Sequence, residues 1–142
     1  MKFNELQLCM AIGKSSPDTP RTSLQRTALA KRVVLHWINL FEESYFPFSI
    51  DDIVEWDTRM RKNKDTRIKI AVAKMHGHKC FWIGRGVGEC CEEVECGHLI
   101  PRCKGGLLGV ENCIIECRFH NNGRREMLIE EFLKFNNVGM SQ

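Results

Sequence analysis

Residues 95 to 122, ECGHLIPRCKGGLLGVENCIIECRFHNN, concentrate chemistry that a hydrophobic core does not need. Four of the chain's eight cysteines, two of its five histidines, a Gly-Gly pair and three asparagines fall in this stretch. A histidine titrates near neutrality and is suited to take a proton from water. An asparagine offers the kind of oxygen that a hard cation such as Mg²⁺ accepts. Cysteine and histidine together supply the sulfur and nitrogen donors of tetrahedral Zn²⁺ sites. Three residues stand where elements begin or end: His98 at the end of a first strand, Asn112 opening a second, and Asn121 at the start of a helix. Hydrolysis of a phosphodiester asks for a base acting on water and a cation at the phosphate and leaving oxygen. His98 and Asn121 are of the right types, and Asn112 can bond loop backbone and fix where His98 points.

The elements that must position them read as strand, loop, strand, helix. Val94 to Ile100 is predicted as a strand, Lys104-Gly105-Gly106 as a turn and Asn112 to Ile115 as the return strand. A helix from His120 or Asn121 to about Phe135 would turn Leu128, Phe132 and Phe135 inward. Residues 80–96, with Gly84, Gly86 and Gly88, read as a loop or knuckle, and GRGVG lacks the spacing of a phosphate loop.

Three helices are expected upstream. Thr22-Ser-Leu-Gln25 reads as a capping box, with Leu24, Ala28, Leu35, Ile38 and Phe41 as a buried stripe. Pro47 ends that segment, and Ser49 caps a helix from Ile50 to about Arg61 that offers Ile53, Val54 and Trp56 to a core. The third runs from about Thr66 to Met75, with Ile68, Ala71, Val72 and Met75 on one face. Residues 1–20 read as an irregular lead-in, SSPDTP being loop chemistry.

The 142 residues, 43% of them hydrophobic, suit one domain with a helical extension. No apolar run approaches the roughly 20 residues of a membrane span. The first residues are too polar for a secretory signal, so the expectation is an intracellular protein with no membrane partner. Clustered thiols in a reducing compartment read as metal ligands rather than disulfides, with Cys9 a bystander. A net charge of +3 points only weakly to nucleic acid. Residues 59–69 carry six Lys/Arg against one Asp and read as a solvated helix face rather than a phosphate-binding patch.

GHLIPRCKGG, the pair Glu111-Asn112, and Cys117-Arg-Phe-His120-Asn121, preceded by RIKIAVAKMHGHKC, resemble the ββα-metal finger of the HNH endonuclease family over roughly residues 66–130. The resemblance implies an α+β fold: an N-terminal helical extension at 1–65, then an HNH-like nuclease domain at 66–142 with a zinc knuckle. It implies His98 as general base, Asn112 as the structural asparagine and Asn121 as ligand to a single Mg²⁺ or Mn²⁺, an H-N-N variant. Structural zinc would sit on Cys80, Cys91, Cys117 and His120, with Cys90 and Cys96 as alternates; Cys103 and Cys113 would be packing residues. Arg102, Lys104, Arg118, Arg124 and Arg125 would hold the backbone of a DNA substrate. One finger carries one active site, so cutting both strands needs a homodimer or two visits.

Two positions depart from the pattern. Gly97 stands where the family carries an acidic residue or a histidine, and Glu95 on the same strand face is the candidate to substitute. Ile83 stands where a Cys-x-x-Cys pair beginning at Cys80 would close. These departures favour the alternative, a non-catalytic zinc-binding module, derived from such a finger, that binds nucleic acid or protein.

Overall fold

The computed structural model describes residues 1–15 and 18–137. It is α+β: among the described residues there are six α-helices and one two-stranded antiparallel sheet. The chain divides into two compact units, Asn4–Ile70 and a second made of Met1–Phe3 with the residues from Ala71 onward. None of the described helices is long and apolar enough to cross a membrane.

The first unit is helical. The expected irregular lead-in is instead α1, Phe3–Ser15. Its apolar residues surround the helix rather than striping it, so Leu6, Leu8, Cys9, Ala11 and Ile12 are all buried and no periodic signal marks it. α2, Ser23–Phe41, starts at the expected capping box: Gln25 N–H donates to Thr22 Oγ1 (3.1 Å) and Thr22 N–H to Gln25 Oε1 (3.2 Å). Its buried face differs from the expected one. Leu29, Ala30, Val33 and Trp37 are inside, while Leu24 is 80% exposed and Leu35 and Ile38 also face solvent. The helix is apolar on two sides, and the bulk of Trp37 selects between them. Its ring meets Phe41, Phe46 and Phe48 edge-on at centroid distances of 5.3–5.8 Å.

α3, Ile50–Lys62, opens at Ser49 with reciprocal bonds to Asp52 and packs on α2 through Ile53. Asn63 ends α3 and its side chain accepts from Thr66 N–H in the first turn of α4, Lys64–His76. Of the expected stripe on α4, Val72 is buried, Ile68 and Ala71 are half-buried and Met75 is exposed; Thr66, Ile70 and Ala73 are buried as well. In the basic block, Arg59 pairs with Glu55 (2.6 Å) and Arg61 with Asp57 (2.9 Å), each one helical turn away.

The second unit is built on β1, Val94–His98, and β2, Cys113–Cys117, paired from Val94↔Cys117 to His98↔Cys113. The first strand is two residues shorter than expected, and the second starts one residue later and ends two later. Between them, Asn112 closes the loop with three side-chain bonds to backbone, from Ile100 N–H (2.9 Å) and to the carbonyls of Ile100 (3.1 Å) and Leu107 (3.0 Å). Gly106 must be glycine, because a Cβ there would fall 1.7 Å from the Ile100 carbonyl oxygen. The expected single final helix is two: α5, Arg118–Arg124, and α6, Ile129–Phe135, separated at Arg125 with φ 50°. Arg124 is drawn inward and its guanidinium takes the Met127 carbonyl (2.8 Å), which turns the chain. Phe132 is buried as expected, and Phe135 is 71% exposed.

Candidate metal centre

β2 runs directly into α5, and the junction carries Cys117 and His120. The segment after α4 returns along β2, with Phe81 N–H donating to the Ile115 carbonyl (2.8 Å), which sets Cys80 beside Cys117. From Cys80 the chain loops through Gly84, Gly86 and Gly88, all with left-handed φ, and comes back at Cys90. Cys80, Cys90, Cys117 and His120 thus converge, their ligand atoms lying within 4.8 Å of one another. His120 Nδ1 is 3.5 Å from the sulfurs of Cys80 and Cys90 and 3.2 Å from that of Cys117. Tetrahedral zinc with ordinary bond lengths places sulfur and nitrogen about 3.6 Å apart. The four residues therefore sit close enough to hold one metal ion such as zinc.

The surroundings fit a metal as well. His120 Nε2 lies 3.0 Å from the Val87 carbonyl; a proton there donates to that oxygen and leaves Nδ1 as the ligand atom. Backbone N–H groups point at the sulfurs: Cys117 N–H at Cys80 Sγ (3.1 Å) and His120 N–H at Cys117 Sγ (3.4 Å). Without a cation, burial raises the thiol pKa of Cys80 and pushes that of Cys90 up to about 12. A bound divalent cation reverses this by stabilising the thiolates, so loading releases protons.

One ligand differs from the expected set. Cys91 lies outside the cluster, its sulfur 3.6 Å from the Glu93 carbonyl, and Cys90 takes its place. Adjacent residues in a loop point in different directions, and only the closed knuckle decides which one faces inward. The alternate Cys96 is half-buried on β1, Cys103 is exposed and Cys113 is buried; none of the three joins the cluster.

His98 ends β1. Its Nε2 is buried and has no hydrogen-bond partner among the described residues. Its backbone carbonyl accepts from Arg124 (2.8 Å). Asn121, the residue after a cluster member, donates through Nδ2 to Glu95 Oε2 (3.0 Å). Glu95 also accepts from Arg118 Nε (3.0 Å).

The five cations expected on a phosphate backbone meet different fates. Arg124 is a correction: it is 1% exposed and is committed to Glu116, Met127 and His98. The cause is Glu116, a fully buried carboxylate on β2 that needs a buried cation. Lys104 bonds Glu131 (2.7 Å) and lowers the pKa of that carboxyl. Arg118 is more than half exposed while engaged with Glu95, and Arg102 and Arg125 are exposed.

Gly97 has a structural cause that the sequence conceals. A Cβ there would lie 1.7 Å from Glu116 Oε1 and 2.9 Å from an Arg124 terminal nitrogen. An aspartate in its place would therefore collide with this ion pair instead of adding a ligand. The sequence pattern singled out neither Glu116 nor Trp82, and held Cys90 only as an alternate ligand. The signal available was a lone Glu amid CIIEC, the one charge in an otherwise apolar strand.

Comparison with protein-family models, curated proteins and solved structures finds no match to this chain.

Proposed function

We propose that this protein is a zinc-held, divalent-metal-dependent DNA endonuclease of HNH type, with a ββα-metal finger formed by β1, β2 and α5. The observation that carries the reading is the convergence of Cys80, Cys90, Cys117 and His120 at the β2–α5 junction. It fixes the start of α5, and with it Asn121, against the strand pair that ends in His98. Three bonds tie α5 to β1 directly, Asn121 and Arg118 to Glu95 and Arg124 to the His98 carbonyl. Three thiolates and an imidazole suit zinc, which takes such sets in closed structural sites.

His98 is the general base in this reading. Its Nε2 has no hydrogen-bond partner among the described residues, and in the tautomer with the proton on Nδ1 it would accept from a water that reaches the site. Asn121 and the adjacent Glu95 carboxylate would hold Mg²⁺ or Mn²⁺, both being oxygen donors on one patch. When bound, that cation supplies charge for the phosphate and leaving oxygen. Asn112 keeps the loop after His98 closed. Arg102, Arg125 and Arg118 are the cations left to meet the DNA backbone.

The second reading is a non-catalytic zinc module that binds nucleic acid or protein. The enclosed Nε2 of His98 and the loss of Arg124 from the surface favour it. Plasmid cleavage with Mg²⁺, Mn²⁺ or EDTA separates the two. The nuclease should cut in either metal and not in EDTA. His98→Ala should lose about 10²–10⁴-fold in rate while retaining DNA binding and fold. DNA retardation with no cleavage in either metal selects the second reading.

A further inference from the structure

Between the cluster and His98 lies a run of buried polar groups that neither site by itself requires. Trp82 belongs to the knuckle loop between Cys80 and Cys90 and is fully buried, its ring against Phe132 at 4.9 Å. Its indole Nε1–H donates to Glu116 Oε2 (2.6 Å). Glu116 is fully buried and immediately precedes Cys117. Arg124 donates to both oxygens of Glu116, and one terminal nitrogen also reaches the His98 carbonyl (2.8 Å). Every step is a hydrogen bond between groups less than 2% exposed until the backbone of His98 is reached.

We infer that Trp82, Glu116 and Arg124 form a positioning chain that couples the Cys80–Cys90–Cys117–His120 site to the backbone of His98, and that Gly97 is glycine to make room for it. The physical argument is satisfaction. A buried carboxylate with three donors is stable, and with one donor removed it shifts to recover bonding, carrying its arginine with it. Metal binding closes the knuckle loop, and loop closure seats Trp82. The Arg124 fork can then serve Glu116 and the His98 carbonyl at once. The chain touches no substrate, so its residues are positioning residues. A side chain at 97 would occupy the space of the Glu116 carboxylate. The position therefore serves the buried pair rather than a metal.

The chain's catalytic meaning rests on His98 being the base, so its test reads His98 in two independent ways. The protein would be zinc-loaded and labelled for NMR of its histidine rings. Trp82→Phe keeps an aromatic ring against Phe132 and removes the indole donor together with part of the ring's volume. It should retain its zinc, shift the His98 ring signals, and lower kcat by about 10- to 100-fold with KM unchanged. Trp56→Phe, in the helical unit, should change none of these. Unmoved His98 signals and an unchanged kcat in a zinc-loaded Trp82→Phe protein overturn the chain. Should that variant not fold, the wild type still decides. As metal is titrated in, protection of the Trp82 indole proton from exchange and the His98 signals should move together, and independent movement overturns the coupling. A wild type that cuts no DNA overturns the nuclease reading instead, while the His98 signals still decide the coupling.

Discussion

In the helical unit the main cluster of buried side chains is Leu8, Ala11, Ile12, Leu29, Ala30, Val33, Trp37 and Ile53, all apolar and all on helices. In the second unit they include Cys80, Trp82, Cys117, Glu116 and Arg124. The first set is stabilised by removing apolar surface from water and needs no partner outside the chain. The second is built around thiols and an ion pair, on a sheet of only two strands, a size that is marginal without other support. A buried ion pair barely repays its desolvation, so it specifies geometry more than it stabilises. The two regions therefore divide the work: one is a conventional core, the other a shape built on a polar network and a Cys/His cluster close enough to hold a metal.

The sharpest way to break this contrast is to remove the metal. Purified chain should carry one zinc. Chelation or Cys117→Ser should unfold the second unit, since structural zinc contributes on the order of 10 kcal/mol in small folds. The helical unit should keep its circular dichroism. Cys90→Ser should lower zinc affinity and Cys91→Ser should not, as metal analysis after dialysis would reveal. Equal loss in both serine variants would return Cys91 to the ligand set.

Truncation of the conventional core comes next in size. Leu29→Ala should cost about 2–5 kcal/mol in denaturant unfolding. Leu24→Ala, on the same helix but exposed, should stay within about 0.5 kcal/mol. A large effect at Leu24 would restore the stripe expected from periodicity.

An effect of similar size, confined to alkaline solution, concerns pH. Burial pushes the Cys9 thiol up to about 12 from its ordinary 9.0. A raised folded pKa means the unfolded chain loses its proton first. The stabilisation is complete below pH 9 and is lost between about 9 and 12, at up to about 1.4 kcal/mol per pH unit. Cys9→Ala should flatten that alkaline decline in unfolding experiments, although it removes a buried group and lowers stability at neutral pH.

Much of this molecule follows from local chemistry. Two capping boxes, the break at Pro47, the strand–turn–strand order and the loop-closing bonds of Asn112 depend on residues a few positions apart, where hydrogen-bond geometry and backbone preference act alone. Cys117 and His120 also belong to this class, because three residues across a strand–helix junction set their separation. What needed the tertiary structure was every choice between equals. Periodicity offered two faces of α2, and the Trp37 ring, meeting three phenylalanines, selected one. Two adjacent cysteines were available, and closure of the knuckle loop turned Cys90 inward. Gly97 read as a missing ligand until Glu116, on the facing strand, was found in the space a side chain would fill. Arg124 read as a surface cation until the same carboxylate required it inside. Such outcomes depend on which distant group packs into a site and on the high cost of leaving a buried charge unpaired. Neither is encoded in any short window of residues.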